Sequence, residues 1–205
     1  MKRINYCLLL IAVLFLGGIP ASSQENIGSL IEAAEQGNAA AQCNLGDCYY
    51  WGDGFPRDYT AAAAWYRKAA VQGLAEAQLN LGVCYHYGNG VAEDYVAAVS
   101  WYRKAAEQGL AEAQFRLGRI YAAVTIGKKT GVVQDDAEAV SWYRKAAEQG
   151  HAEAQFRLGL YYCSGKGVAQ DYAEGEAWIR KAADNGSEQA RQILEILRRE
   201  GKSVD

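Results

Sequence analysis

A pattern of 36 residues recurs along this chain and constrains its fold more than any other feature. The segment AVSWYRKAAEQG stands at 98–109 and again at 139–150, and nearly the same nine residues follow each copy. The recurring tryptophans are Trp65, Trp101, Trp142 and Trp178, and the recurring Leu-Gly pairs begin at Leu45, Leu81, Leu117 and Leu158. One five-residue insertion between Gly118 and Trp142 accounts for the departures from a constant interval. A period of this length is typical of solenoids, in which similar units stack on one another.

Each repeat is predicted to contain two helices. In the second repeat, apolar residues at three- and four-residue spacing predict a first helix from about Ala75 to Tyr87. Gly88-Asn89-Gly90 is a turn signal, Asp94 is a candidate N-cap for the second helix, and Gly109 ends that helix. The equivalent stops are Gly37, Gly73, Gly150 and Gly186. The glycine of each Leu-Gly pair is expected to let the first helix approach its neighbour closely.

The predicted organisation is an array of four repeats between two caps. The boundaries are 24–37 for an N-terminal half-repeat, 38–73, 74–109, 110–150 and 151–186 for the repeats, and 187–205 for a capping helix and tail. A single helix pair cannot bury its own tryptophan, leucine and tyrosine, so neighbouring repeats must share one hydrophobic core. The role of the inserted loop Val124–Gln134 stays open between an added contact and tolerated extra length.

Three motifs carry a resemblance to a known family. They are A-x-A-Q-x-x-L-G-x-x-Y, G-x-G-V-x-x-D-Y-x-x-A and W-Y-R-K-A-A-x-x-G. The chain resembles the Sel-one-like repeat (SLR) branch of the tetratricopeptide superfamily over about residues 26–199. The resemblance implies an all-α, right-handed solenoid of helix-turn-helix repeats that acts as a non-enzymatic scaffold or adaptor. It also implies that the first helix of each repeat lines a concave face, which would bind a protein or peptide partner.

By that resemblance, the variable positions of the first helices are the candidate partner-binding residues. They are Asn44, Asp47, Tyr50, Asn80, His86, Arg116, Arg119 and Arg157. Asparagine and arginine side chains suit the amides and carboxylates of a peptide. The carboxylate clamps of tetratricopeptide domains also use lysines, whereas this chain has Ala40, Glu76, Glu112 and Glu153 nearby.

The N-terminal 23 residues read as a secretory signal peptide. Lys2 and Arg3 precede an apolar run, and small residues at 21–23 offer a cleavage site. We therefore expect an exported protein, periplasmic or extracellular in a bacterium, with no stable membrane insertion after cleavage. Without residues 1–23, 19 basic residues face 24 acidic ones, which argues against a nucleic-acid partner. The sequence leaves the oligomeric state open.

An enzymatic alternative rests on a cysteine-rich subclass of the same family, which is associated with β-lactam binding and weak hydrolysis. Lys129-Thr130-Gly131 matches one motif of serine β-lactamases, but the sequence contains neither S-x-x-K nor S-D-N. His86 and His151 have no metal-ligand spacing, so we expect no metal or cofactor. Whether any of Cys43, Cys48, Cys84 and Cys163 form disulfides stays open, since the subclass's cysteine pattern around the turn between helices is absent.

A basic pair also recurs late in each second helix. The pairs are Arg67-Lys68, Arg103-Lys104, Arg144-Lys145 and Arg180-Lys181. They could form a cationic stripe for an acidic partner. They could instead complement the negative end of the helix dipole and pair with Glu107 and Glu148.

Overall fold

The computed structural model describes residues 21–123 and 133–199, with side chains from residue 27 onward. These residues form ten α-helices and no strand. The helices are α1 (Ala21–Glu35), α2 (Ala39–Trp51), α3 (Tyr59–Val71), α4 (Ala75–Tyr87), α5 (Tyr95–Glu107), α6 (Ala111–Ala122), α7 (Asp136–Glu148), α8 (Ala152–Ser164), α9 (Tyr172–Asp184) and α10 (Glu188–Arg199). Residues 1–20 of the predicted signal peptide, most of the inserted loop and the C-terminal tail lie outside the described residues.

The chain divides into two compact units, the first ending at Asp94 and the second beginning at Tyr95. In the first unit α1 packs against α2, α2 against α3 and α3 against α4. In the second unit each helix from α5 to α9 packs against the next one in the chain. Because α2, α4, α6 and α8 are the first helices of successive repeats, each unit is a stack of helix-turn-helix pairs. The predicted all-α repeat fold is confirmed within each unit.

The helices begin and end at the residue types that the sequence singled out. Asp58 caps α3 by accepting hydrogen bonds from the backbone N–H groups of Thr60 and Ala61, each at 2.9 Å. Helix α4 has the predicted bounds. The five predicted glycine stops all have φ between 87° and 97°, a region that side chains other than glycine rarely adopt. These stops are Gly37, Gly73, Gly109, Gly150 and Gly186.

The glycine of the Leu-Gly pair brings two helices of a repeat into direct contact. A Cβ atom on Gly46 of α2 would lie 2.7 Å from two ring carbons of Tyr66 on α3. On Gly118 of α6 it would lie 2.6 Å from the ring of Tyr143 on α7. Both tyrosines are 2% exposed, so their rings fill the space that a larger residue would need. The expected close approach of the first helix is confirmed.

A buried glutamine in each first helix ties the repeat to the preceding one. The four glutamines donate to the carbonyl oxygen eight residues earlier, in the pairs Gln42–Ala34, Gln78–Ala70, Gln114–Ala106 and Gln155–Ala147. The amide oxygens of three of them also accept a bond from the residue that follows the second helix of the same repeat. The donors are Gln72 to Gln42 at 2.7 Å, Gln149 to Gln114 at 2.8 Å and Asn185 to Gln155 at 2.9 Å. We call this series the glutamine relay, and it gives a second hydrogen bond to carbonyls near helix ends that also accept from the backbone N–H of the glycine stop.

The second glycine of the G-x-G turn has a packing role that sequence reasoning missed. Gly90 has φ of +72°, and a Cβ there would lie 2.0 Å from the carbonyl oxygen of Tyr59. In the second unit, a Cβ on Gly167 would lie 2.3 Å from the carbonyl group of Asp136. The turn inside each of these repeats therefore crosses the start of the second helix of the preceding repeat, and only glycine fits there.

Three of the four recurring tryptophans are buried. Trp65 packs with Leu45 and Phe55 in the first unit, and Trp178 packs with Tyr143 in the second. Each unit therefore has an apolar core shared between its repeats. None of the helices in the described residues is long and apolar enough to cross a membrane.

Candidate functional site

In the first unit, two of the predicted partner-binding residues contact each other across neighbouring repeats. Asn80 on α4 donates from Nδ2 to Oδ1 of Asp47 on α2 at 3.2 Å. The hydroxyl of Tyr66 donates to the same oxygen at 2.7 Å. Asn44 lies one turn earlier on α2 and is exposed. The variable positions of adjacent first helices thus form one continuous polar surface in this unit.

Burial controls the ionisation of this surface. It raises the pKa of Asp47 from its ordinary value, although the hydrogen bond from Tyr66 partly opposes the shift. Burial, together with the charges of Asp47 and Glu76, raises the pKa of the Cys43 thiol to about 12. Burial also raises the pKa of Cys84 to about 11. Both thiols are therefore protonated at neutral pH, which makes them poor nucleophiles and poor metal ligands.

Tyr50 and His86, two further predicted residues, belong to a cluster of aromatic side chains at the ends of α2 and α4. The cluster consists of Tyr50, Trp51, Tyr59, His86 and Tyr87, and we call it the aromatic patch. The Tyr50 ring lies 4.9 Å from that of Trp51 and 5.0 Å from that of Tyr59, and the His86 ring lies 4.6 Å from that of Tyr87.

Two members of the aromatic patch are open to solvent. Trp51 is 68% exposed and Tyr87 is 59% exposed, at equivalent positions of adjacent repeats. Asn89 donates to the Tyr50 hydroxyl at 2.8 Å and so links the turn after α4 to α2. Sequence reasoning missed Trp51 because it lies outside the recurring tryptophan positions.

In the second unit, the predicted arginines are held by carboxylates on their own helices. Arg116 pairs with Glu112 at 2.7 Å, and Arg157 pairs with Glu153 at 3.0 Å. Arg119 is exposed, with its guanidinium carbon 5.9 Å from the centre of the Phe115 ring. The glutamates that replace the lysines of a carboxylate clamp therefore orient two of these arginines along the first helices.

Glu112 also binds the histidine that opens the next repeat. His151 Nε2 lies 3.0 Å from Glu112 Oε2, and His151 Nδ1 accepts from the backbone N–H of Ala154 at 3.1 Å. Since Nδ1 is an acceptor, the proton of the neutral ring lies on Nε2, which donates to Glu112. Burial raises the pKa of Glu112, but the bond from His151 and the charge of Arg116 outweigh it and lower that pKa below its usual range. His151 is thus an N-cap and a link between repeats.

The periodic basic pairs contact aromatic side chains at the surface of the repeats. The guanidinium groups of Arg67, Arg103 and Arg144 donate to the hydroxyls of Tyr85, Tyr121 and Tyr162 on the next first helix. The ammonium groups of Lys68, Lys104, Lys145 and Lys181 lie 3.5 to 4.2 Å from the ring centres of the recurring tryptophans. Neither a free cationic stripe nor pairing with Glu107 and Glu148 is needed to explain these residues.

An open depression of about 450 Å³ lies at the end of α8. Its lining includes Leu160, Tyr161, Cys163 and Lys166. Leu160 and Cys163 occupy the positions held by Asp47 and Tyr50 in the first repeat. The variable face of the fourth repeat is therefore apolar where that of the first is polar and aromatic.

Cysteines and metal-binding groups were the enzymatic features that the sequence left to examine. The four cysteines in the described part of the chain, Cys43, Cys48, Cys84 and Cys163, are free thiols. Across 21–123 and 133–199, no group of three or more His, Cys, Asp or Glu side chains could hold a metal ion. The Lys129-Thr130-Gly131 match lies outside the described residues.

Comparison with models of known protein families tests the family resemblance that the three motifs suggested. The model of the Sel1 repeat family matches residues 39–74, 75–110, 111–151 and 152–187, each starting one residue after the predicted repeat. The chain belongs to the Sel1 repeat family. Sel1 repeats mediate protein–protein interaction, and proteins built from them are generally non-enzymatic scaffolds.

Solved structures agree with this assignment. A Sel1 repeat protein from Oxalobacter formigenes is 36% identical with a TM-score of 0.73, and the match covers 82% of this chain and 47% of that one. A protective antigen of uropathogenic Escherichia coli strains with an SLR fold is 34% identical with a TM-score of 0.50, and the match covers 87% of this chain and 45% of that one. Cysteine rich protein B of Helicobacter pylori is 26% identical with a TM-score of 0.52, covering 67% of this chain and 95% of that one. No curated protein matches, and this Sel1 repeat chain spans less than half the length of the first two structures.

Proposed function

We propose that this Sel1 repeat protein is an exported, non-enzymatic scaffold that binds a protein or peptide partner on the faces of its first helices. The supporting observation is the contrast between constant and variable positions of those helices. The Gln, Leu and Gly positions are the same in all four repeats, and they are buried. The position that reads Asp47, Val83, Arg119 and Leu160 changes its chemistry in every repeat. A constant buried frame with varied, accessible side chains is suited to recognition of a partner.

The two units offer different chemistry to such a partner. In the first unit, Asp47 and Asn80 present a carboxylate and an amide beside the aromatic patch. In the second unit, Arg116, Arg119 and Arg157 present guanidinium groups, which bind carboxylates with paired hydrogen bonds. The exposed pair of Arg157 and Glu153 contributes little to stability, so a partner carboxylate can compete for this arginine.

Export is the second part of the proposal and rests on residues 1–23. The basic start, the short apolar run and the small residues at 21–23 support cleavage by a signal peptidase. Mass spectrometry of the protein recovered from the compartment outside the inner membrane tests this. Recovery of the intact chain inside the cell, with Met1 or Lys2 at its start, would contradict it.

Crosslinking followed by affinity capture from the native compartment tests the binding face. We expect the wild type to capture a partner that the Arg116→Ala/Arg157→Ala variant captures at a much lower level. Arg180→Ala/Arg191→Ala is the matched control, because these arginines form ion pairs with Glu176 and Glu188 three or four residues away, outside the first helices of the four repeats. Equal capture by the wild type and the Arg116→Ala/Arg157→Ala variant would remove these arginines from the binding face.

A further inference from the structure

The aromatic patch of the first unit is an interaction surface of definite chemistry. Trp51 and Tyr87 are among the large side chains most exposed to solvent in the described part of the chain, although both end helices that are otherwise well packed. We propose that this patch binds an extended peptide segment carrying Lys or Arg side chains. The inference rests on the proposed function, because it names the class of partner segment for the first-helix face of this unit.

Carboxylates surround the patch. Asp47 lies one helical turn before Tyr50 and Trp51, so the three side chains share one face of α2. Both hydrogen bonds to Asp47 end on Oδ1, which leaves Oδ2 as an acceptor for an incoming cation. Asp53 is exposed in the turn that follows Trp51. Asp47 and Asp53 therefore flank Trp51 in the sequence, one helical turn before it and two residues after it.

The same arrangement recurs one repeat later. Tyr87 ends α4, and the backbone of Glu93 lies 3.5 Å from where a Cβ on Gly88 would stand. Glu93 is exposed and places a carboxylate in the turn that follows the second open ring of the patch. Trp51 and Tyr87 also stand at the carboxyl ends of their helices, where the helix dipole is negative. Each open ring thus lies in a region of negative potential.

The overall charge of the first unit favours the same partner. Between residues 27 and 94, eight carboxylates face three cations. Each of these cations already lies on an aromatic ring of the unit. The ring-centre distances are 5.9 Å from Arg57 to Tyr59, 5.6 Å from Arg67 to Tyr85 and 3.5 Å from Lys68 to Trp65. The carboxylates near the open rings therefore outnumber the cations available to neutralise them.

A cation–aromatic contact of the kind that we propose already occurs within this unit. Arg57 lies over Tyr59, a member of the patch, and donates to its hydroxyl at 3.4 Å. Cations are attracted to the face of tryptophan more strongly than to other rings, and tyrosine follows. Trp51 and Tyr87 are the open counterparts of rings that bind a cation elsewhere in the unit. Two basic side chains of one extended segment could engage them.

Fluorescence anisotropy with two labelled synthetic peptides tests the proposal on the full-length protein. One peptide alternates Lys and Gly, and the other alternates Glu and Gly. Because the arginines of the second unit can bind carboxylates, the two peptides are compared in the Arg116→Ala/Arg119→Ala/Arg157→Ala background, where we expect only the Lys peptide to bind. Trp51→Leu/Tyr87→Leu keeps apolar area but removes the ring faces, so it should weaken binding by about 5- to 30-fold, the effect of two exposed cation–π contacts. Asp47→Asn should weaken binding to a smaller extent.

The matched control is Tyr172→Ala, which removes a 67%-exposed aromatic ring from the second unit. It should bind the Lys peptide as the wild type does. The proposal is overturned if the Lys peptide does not bind, if the Glu peptide binds equally, or if the leucine variant binds as tightly as the wild type. A loss of binding in Tyr172→Ala would also overturn it. Each of these results is distinct from failure of the scaffold function, because partner capture by the wild type would be unaffected by them.

Discussion

Replacing Gly46 by alanine should destabilise the protein, although alanine is the better helix former. The added Cβ would lie 2.7 Å from Cδ1 and Cε1 of Tyr66 and 3.3 Å from Cγ. Ordinary contacts of this kind begin near 3.4 Å. The ring cannot move away easily, because Tyr66 is 2% exposed and its hydroxyl is bonded to Asp47 at 2.7 Å. The strain therefore falls on the packing of α2 against α3.

Two opposing effects set the size of this change. Overpacking of a core costs about 1–3 kcal/mol. Alanine gains about 1 kcal/mol over glycine in a helix interior. With two rigid ring atoms well inside contact distance, we expect the upper part of the overpacking range and a net loss of about 1–2 kcal/mol. In a chain of this size that loss lowers the melting temperature by roughly 2–8 °C.

The assay is urea unfolding followed by far-ultraviolet circular dichroism. Gly28→Ala is the matched control, because Gly28 lies inside α1 with no atom within 4 Å of the added Cβ. The control should be neutral or stabilising by up to about 1 kcal/mol, so the two identical substitutions should differ in sign. In a Tyr66→Leu background, Gly46→Ala should become less harmful, as expected for residues in contact. A higher unfolding midpoint for Gly46→Ala than for the wild type would refute the reasoning.

Two further substitutions test the links between repeats in the second unit. Glu112→Gln should lower the unfolding midpoint near pH 7 and much less near pH 3, because His151 and Arg116 lower the pKa of Glu112 against the effect of burial. A carboxyl group with a lowered folded-state pKa stabilises the fold at a pH above its unfolded-state pKa, and this stabilisation is lost as the pH falls through the folded-state pKa. An equal drop of the unfolding midpoint at pH 7 and pH 3 would therefore contradict the role of Glu112. Gln155→Leu should cost about 1–3 kcal/mol, since it removes two hydrogen bonds worth about 0.5–1.5 kcal/mol each, one to the carbonyl of Ala147 and one from Asn185, both at 2.9 Å. An unchanged urea midpoint would count against this role.

Much of the fold could be predicted because it depends on local periodicity. Helix α4 and the five glycine stops follow from apolar spacing and from the positive φ that only glycine accepts readily. The second glycine of the G-x-G turn could be predicted only as a turn residue. Its clash partner, the carbonyl group of Tyr59, belongs to the preceding repeat and is 31 residues away from Gly90 in the sequence.

The candidate site could be predicted in part. The variable positions of the first helices were found by aligning repeats, but their contacts depend on tertiary packing. The bond between Asn80 and Asp47 joins two repeats, and no alignment of single repeats predicts it. The exposure of Trp51 was missed for a similar reason, because whether the last residue of a helix faces solvent depends on its neighbours. The basic pairs had a periodic signal, yet their tyrosine and tryptophan partners became clear only in three dimensions.

The glutamine relay restricts how such a chain can change its length in evolution. Each relay glutamine donates to a carbonyl of the preceding repeat, and the oxygens of three of them also accept a bond from the end of their own repeat. When one whole 36-residue period is gained or lost, every relay glutamine still meets an equivalent hydrogen-bond partner. When the chain is joined at two non-equivalent positions of the repeat, a buried glutamine amide loses its partner. The five extra residues lie between Gln114 and Gln149, and the 2.8 Å bond between these two side chains is kept. Recombination between gene segments one period apart is therefore the route by which relatives of different length can arise without a loss of core hydrogen bonding.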